Sequence, residues 1–217
     1  MKLITFYKAI LDLHVPIFST NDIAAVLRIS NKYSYKLLKQ LSNEGLMIHL
    51  RRGVWGIKES VDLLEIPDYL TAPMPSYISL QSALYYHGII SQIPSVIYAV
   101  TIARTRRYHT TIGTYSMHHI NPDLFFGFDF VGNRDIRMAQ PEKALFDFFY
   151  FKSTKSKLFY SLPEIEIPST FTWDKLEQYT KKIGNKSRQR MLLNSIHLLK
   201  SRSSHQHRQS KRNSNDH

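Results

Sequence analysis

The segment "LMIHLRRGVWGI", residues 46–57, predicts the element that decides the fold of the first part of the chain. Its residues 46–50 show the alternation that is typical of a β-strand. Arg52-Gly53 is a turn sequence, and Val54–Ile57 forms the return strand. We therefore predict a β-hairpin with Arg51 and Arg52 at its tip. Trp55 is assigned to the hairpin core because its neighbours are apolar.

Three helical patterns precede this hairpin. Apolar residues at helical spacing run through "MKLITFYKAILDLH" until Pro16, and "FSTNDIAAVLRI" follows with Ser19 or Thr20 as its N-cap. The third pattern, "ISNKYSYKLLKQLSNEG", has Ser30 as N-cap and Gly45 as its stop. Three helices followed by a hairpin predict a winged helix-turn-helix domain over residues 1–60, whose third helix enters the major groove of DNA.

The third helix places polar and basic residues on the side opposite its buried leucines. Lysines neutralise phosphates, asparagine reads adenine, and tyrosine hydroxyls donate to phosphate oxygens. Arginines at a hairpin tip fit a narrow minor groove. An alternative is a domain that contacts protein and whose lysines are an ordinary solvated face. The predicted DNA-binding residues are Asn31, Lys32, Tyr33, Tyr35, Lys36, Lys39, Arg51 and Arg52.

Charge is distributed unevenly along the 217 residues, which carry a formal net charge of +12. Residues 1–60 have a net charge of +5, residues 61–180 of −2, and residues 181–217 of +9. Basic segments of this kind favour an anionic partner, most often nucleic acid. The absence of cysteine excludes disulfides and thiol nucleophiles. We find no apolar run long enough for a membrane span and no signal peptide, so we expect a cytoplasmic protein.

The middle of the chain alternates strand and helix patterns after a proline-rich stretch. Residues 61–75 contain Pro67, Pro73 and Pro75 and are predicted to be a linker. Strands are expected in "VIYAVTIA", around a turn near Ile112-Gly113, and around a second turn at Gly132-Asn133. Helices are expected in "SLQSALYYHGII", "QPEKALFDFFYF", "TFTWDKLEQYTKKI" and "SRQRMLLNSIHLLK". The predicted fold class is α+β, with a mixed α/β domain over residues 76–200.

Several of these segments together resemble the AbiEi family of antitoxins. They are "YISLQSALYYHGIISQIP", "TIARTRRYHTTIGTYSMHHINPDLFFGF" and "QPEKALFDFFY", in the order in which that family has them, over roughly residues 75–151. These antitoxins belong to abortive-infection, or type IV, toxin–antitoxin systems. The resemblance implies a bacterial protein that represses its own operon by binding inverted repeats and that counters a nucleotidyltransferase toxin. It does not imply direct contact with the toxin, catalytic residues or a cofactor. Repressors of this kind usually read palindromes as pairs, which allows a dimer on DNA, and association without DNA is left open.

The sequence was also searched for catalytic and metal-binding patterns. Neighbouring strand residues point to opposite faces, so His118 and His119 are not expected to share a metal ion, and no metal site is predicted. Lys143 and Asp147 have the spacing of a helical ion pair that contributes a few tenths of a kcal/mol. A candidate surface for an anion or for the antitoxin activity comprises Arg104, Arg106, Arg107, His118 and His119, with Arg104 and Arg106 on one strand face. The alternative is a solvated strand.

Residues 201–217 are poor in apolar side chains, and we predict a basic, disordered tail. The leading interpretation is a DNA-binding autorepressor fused to an antitoxin domain, and not an enzyme. Two alternatives are a nucleic-acid-processing enzyme and a transcriptional regulator that senses a small ligand without a toxin.

Overall fold

The computed structural model describes residues 1–132, 135–152 and 165–213. Its first part contains helices and strands whose bounds are α1 (Leu3–Leu11), β1 (Ile17–Ser19), α2 (Thr20–Val26), α3 (Asn31–Asn43), β2 (Met47–Arg51) and β3 (Val54–Ile57). The strands form an antiparallel sheet in the order β1-β3-β2. The predicted hairpin is confirmed, and β1 adds a third strand to it.

Local hydrogen bonds explain where these helices begin and end. Ser19 and Asp22 form a capping box at α2, with the Ser19 amide donating to the Asp22 carboxylate at 2.8 Å. The Ser30 hydroxyl accepts from the Tyr33 amide at the start of α3. Gly45 has a φ of +74°, a conformation that favours glycine and ends the helix. These three signals were read correctly from the sequence.

Trp55 attaches the hairpin to the helices. Its side chain is 2% exposed, and its indole nitrogen donates to the Thr20 hydroxyl at 2.9 Å. Thr20 is therefore not the cap of α2 but the acceptor that satisfies the buried indole. The assignment of Trp55 to the hairpin core is confirmed.

Residues 61–75, predicted to be a linker, include a helix that packs into the core. They contain α4 (Ile66–Thr71), whose Ile66 and Leu70 are buried. Pro67 lies in the first turn of α4, where no backbone donor is required, so it starts a helix rather than breaking one. Asp68 accepts from the Arg137 guanidinium and from the Ser76 amide, which ties α4 to the strands that follow.

The second part is built on a six-stranded mixed sheet in the order β6-β7-β5-β4-β9-β8. The pairs β4–β5, β6–β7 and β8–β9 are antiparallel, whereas β5–β7 and β4–β9 are parallel. The predicted α+β class is confirmed. The strands and the helix between them are β4 (Ser76–Ile78), α5 (Leu80–Tyr86), β5 (Ile97–Thr101), β6 (Arg106–Thr110), β7 (Gly113–His119), β8 (Phe128–Val131) and β9 (Ile136–Ala139). Asn133, part of the second predicted turn, lies outside the described residues.

The described residues after β9, 140–152 and 165–213, contain three helices, namely α6 (Pro141–Lys152), α7 (Trp173–Lys181) and α8 (Lys186–Asn213). α6 is buried along almost its whole length. The backbone of α8 is helical as far as Asn213, whereas the sequence led us to predict disorder from Ser201. Residues 201–213 contain neither glycine nor proline, so no helix-breaking residue interrupts α8 there. The final residues, 214–217, lie outside the described residues.

The core consists of two clusters of buried side chains. The smaller cluster packs α1, α2 and α3 against the hairpin through residues such as Phe6, Leu38 and Trp55. The larger cluster fills the second part, but Ile17, Ile48 and other residues of the first sheet belong to it as well. One face of the first sheet thus packs on the second part of the chain.

A buried charged network lies at the centre of the larger cluster. Lys143 and Asp147 of α6 form an ion pair at 2.5 Å, and both side chains are 0% exposed. The Asp147 carboxylate also accepts from the Tyr77 hydroxyl at 2.9 Å and from the Ser79 hydroxyl at 2.7 Å. Burial lowers the pKa of Lys143 and raises the pKa of Asp147, and their mutual attraction opposes both shifts. The predicted i,i+4 ion pair is confirmed, and the structure adds that both of its side chains lie in the interior.

We predict that Asp147→Ala lowers the free energy of unfolding by about 3–5 kcal/mol, because it leaves the Lys143 ammonium buried without a counter-charge. Urea denaturation measures this change. The control is Lys200→Ala, which removes a half-exposed ion pair with Glu177 and is expected to cost less than about 1 kcal/mol. The double variant Lys143→Met, Asp147→Leu should be more stable than Asp147→Ala alone. If the free energy of unfolding falls by a similar small amount in all three variants, the interior ion pair is contradicted.

Candidate nucleic-acid interface

The outer face of α3 is exposed and basic. Ser34, Leu38 and Leu41 are buried on the inner face of this helix, as its periodicity predicted. Leu37 is buried as well, and the exposed residues of the helix are Asn31, Lys32, Tyr35, Lys36, Lys39, Gln40 and Asn43. Within this set there are three cations and no acid. Such a face can neutralise several phosphates while its asparagine and tyrosine offer hydrogen bonds.

Tyr33 differs from the other predicted contact residues of α3. It is only half-exposed, and its hydroxyl donates to the Met1 carbonyl at 3.3 Å. The N-terminal ammonium group in turn donates to the Tyr33 hydroxyl at 3.1 Å. The structure therefore gives this hydroxyl a partner at the start of the chain, next to α1.

The two arginines of the hairpin have different surroundings. Arg51 is half-buried, and its guanidinium donates to the carbonyl of Tyr69 at 3.1 Å and to that of Ala72 at 3.5 Å. These carbonyls belong to the end of α4, where the last turn lacks partners within the helix and attracts cations. Arg52, at the turn itself, is exposed. Arg51 is therefore held by α4, and Arg52 is the exposed arginine of the turn.

The five residues of the predicted anion surface do not converge on one face of the sheet. Arg104 lies before β6 rather than within it, so it does not share a strand face with Arg106 as predicted. In the register of β6 and β7, Arg106 pairs with Met117 and Arg107 pairs with Ser116. Paired residues share a face, and neighbouring residues alternate, so Arg106 and Arg107 lie on opposite faces.

His118 and His119 also lie on opposite faces, as strand alternation predicts. His118 is buried between the rings of Tyr98 and Phe151, and its Nε2 atom lies 3.0 Å from the Ser116 hydroxyl. Burial lowers the pKa of His118 to about 4, so the ring is neutral at pH 7 and adds no positive charge. His119 is exposed, and its Nδ1 atom lies 3.0 Å from the Ala103 carbonyl oxygen. The predicted surface thus loses His118 as a contributor.

Within residues 1–132, 135–152 and 165–213, histidine, aspartate and glutamate side chains form no group of three that is able to hold a metal ion. No helix in the same ranges is both long enough and apolar enough to cross a membrane.

Two functional features were missed from the sequence. The first is that Arg51 donates hydrogen bonds to carbonyls at the end of α4. These carbonyls belong to residues 18 and 21 positions after Arg51 in the chain. The second is the burial of Lys143 and Asp147. A signal for the second was present, because apolar residues such as Ala144, Leu145 and Phe148 surround the pair in the sequence.

Comparisons with protein-family models and with curated proteins find no match for this chain.

We predict that His118 makes the protein less stable as the pH falls from 6.5 to 4. In this window the unfolded chain binds a proton on the histidine and the folded chain does not, so folding becomes less favourable by up to roughly 3 kcal/mol. Above pH 6.5 the histidine contributes no pH dependence. Denaturation of the wild type and of His118→Phe at several pH values measures the difference. Equal pH dependence of the two proteins would contradict a neutral buried ring.

Proposed function

We propose that this protein is an antitoxin that also represses its own operon by binding promoter DNA. Residues 1–60 serve as a winged helix-turn-helix domain, and α3 is the helix that enters the major groove. The observation that carries this proposal is the exposed face of α3, with Lys32, Lys36 and Lys39 beside Asn31 and Tyr35.

The arrangement of the elements supports this geometry. α2 and α3 follow one another with a short connection, and the hairpin β2–β3 packs beside α3 through Trp55. In winged helix-turn-helix domains a hairpin in this position reaches the DNA next to the recognition helix. Here the hairpin tip offers Arg52, which is exposed and is not held by α4.

Electrostatics favour DNA over a neutral partner. Lysine and arginine side chains on phosphates release condensed counterions, which makes binding strong at low salt and weak at high salt. A recognition helix binds one half-site, so two subunits on inverted repeats fit a repressor of this size. Whether the subunits associate before they bind is left to experiment.

The antitoxin activity is assigned to the second part of the chain because of its resemblance to the AbiEi family. The segments that carry the resemblance form β4 with α5, β5 to β7, and α6. These elements include Tyr77, Ser79, Lys143 and Asp147 of the buried network. The proposed partner is a nucleotidyltransferase toxin, and we place both proteins in the bacterial cytoplasm. The proposal requires no catalytic residue, metal or cofactor.

A second candidate function is a regulator that binds a small ligand, and one cavity favours it. The cavity has a volume of about 350 Å³ and lies between α4, β4 and β9. Its lining includes Asp68, Tyr69, Met74 and Arg137, and Tyr69 is also a partner of Arg51. A ligand here would lie one helix away from the hairpin, a suitable position for controlling DNA binding.

We predict that Lys36→Ala and Arg52→Ala each weaken binding to a promoter duplex. Each should lower the slope of log affinity against log salt concentration by about one, because each removes one phosphate contact. Fluorescence anisotropy at several salt concentrations measures both quantities. The control is Lys181→Ala, an exposed lysine of α7, which should leave the slope unchanged. If Lys36→Ala binds with the slope of the wild type, α3 is not the DNA-contacting helix.

The division of labour is tested with the full-length double variant Lys36→Ala, Arg52→Ala. It should lose repression of a promoter reporter and still rescue growth of cells that express the product of the adjacent gene, which the proposal expects to be a nucleotidyltransferase toxin. The structural reason is that both side chains are exposed and lie outside the second part of the chain. Failure of the folded wild type to rescue growth would contradict the antitoxin assignment. Rescue lost only in the double variant would contradict the separation of the two activities.

A further inference from the structure

The last turn of α4 is held by side chains from two different sheets. Arg51 of β2 donates to the carbonyls of Tyr69 and Ala72, as described above. Tyr108 of β6 donates from its hydroxyl to the carbonyl of Leu70 at 3.1 Å. Two strands thus provide donors for acceptors that the end of a helix leaves unpaired.

These two strands are the outer strands of their sheets. β2 is last in the order β1-β3-β2, and β6 is first in the order of the six-stranded sheet. They also pack against each other. The edge of the second sheet therefore lies next to the hairpin that carries Arg52.

Strand alternation decides which side chains of β6 face this junction. Arg106 lies two residues before Tyr108 and so shares its face, and its guanidinium lies 5.0 Å from the centre of the Tyr108 ring. Arg106 is nevertheless exposed. Arg107 is equally exposed but points to the opposite face, where its strand partner Ser116 contacts His118.

We propose that Arg106, whose exposed guanidinium on the Tyr108 face of β6 is called here the β6 patch, extends the DNA-binding surface beyond the hairpin. The patch binds phosphates of the same duplex that α3 contacts, on the flank where the hairpin lies. This inference rests on the proposed DNA-binding function.

A duplex is the occupant that best fits the exposed cations of α3, of the hairpin tip and of β6. The α3 face, Arg52 and the β6 patch all present cations, and a duplex offers evenly spaced phosphates along its whole length. An arginine that stacks on a tyrosine is held in place by the ring, so less side-chain freedom is lost when it binds a phosphate. An acidic surface of a protein partner is the other possible occupant, and the experiment distinguishes the two.

The experiment compares Arg106→Ala with Arg107→Ala in the full-length protein. These neighbouring residues have the same side chain and are both exposed, but they lie on opposite faces of β6. Binding to a promoter duplex and to a random duplex of equal length is measured at several salt concentrations. The β6 patch predicts a salt slope lower by about one for Arg106→Ala on both duplexes and no change for Arg107→Ala. Arg106→Lys keeps the charge and should keep the slope.

Lys36→Ala separates failure of this inference from failure of the proposed function. If Lys36→Ala lowers the slope and Arg106→Ala does not, the β6 patch is wrong and the DNA-binding function stands. If Arg106→Ala and Arg107→Ala lower the salt slope equally, the β6 patch is wrong as well, because the effect would not depend on which face of β6 the arginine occupies. Loss of toxin neutralisation in Arg106→Ala with unchanged DNA binding assigns the patch to a protein partner and overturns the proposal. If the wild type binds neither duplex, both the β6 patch and the proposed DNA-binding function are wrong.

Discussion

The ion pair between Lys143 and Asp147 joins the elements of the second part at a place that water does not reach. Asp147 accepts hydrogen bonds from Tyr77 of β4 and from Ser79 at the start of α5, so one carboxylate connects three elements. The Lys143 ammonium lies 4.8 Å from the ring centre of Phe126 and 4.7 Å from that of Phe146, which adds cation–π attraction. Leu80 follows Ser79 with a φ of +55°, which is rare for a residue other than glycine. Strained backbone of this kind persists where the surroundings hold it, and the bond from Ser79 to Asp147 is next to it.

The first part of the chain depends on the second in a similar way. α4 connects them, because Arg51 and Tyr108 bind its last turn while its Asp68 binds Arg137 and Ser76. A hairpin attached in this way does not move freely relative to the six-stranded sheet. Its orientation on DNA, under the proposed function, is therefore set partly by residues that never touch the duplex. That constraint also explains why the cavity beside α4 is a suitable place for a regulatory ligand.

Local features of the sequence predicted much of the fold, and features that depend on distant partners did not. A few neighbouring residues determine the cap at Ser30, the helix end at Gly45 and the turns of the hairpins β2–β3 and β6–β7. The sequence pattern was therefore sufficient to predict these features. The burial of Asp147 depends on Tyr77, which lies 70 residues earlier. The contacts of Arg51 depend on α4. The sequence did not predict this helix, because the segment that contains Pro67 was interpreted as a linker. For the candidate site, five of the six residues predicted on the outer face of α3 are exposed, whereas Tyr33 is half-exposed and its hydroxyl is bound to Met1.

The pair Arg51-Arg52 shows why a basic dipeptide in a turn is an ambiguous signal. Both residues have the same chemistry, but only one lies beside a helix end with unpaired carbonyls. Arg51 satisfies those carbonyls, and Arg52 is left at the tip with its charge exposed. On β6 the two arginines are both exposed, but strand alternation puts them on opposite faces. A neighbouring helix in the first pair, and strand alternation in the second, thus give two residues of the same type different surroundings. Under the proposed function, a count of basic residues therefore overestimates the charge that faces one duplex, and the salt dependence of binding measures the number of phosphate contacts that the geometry allows.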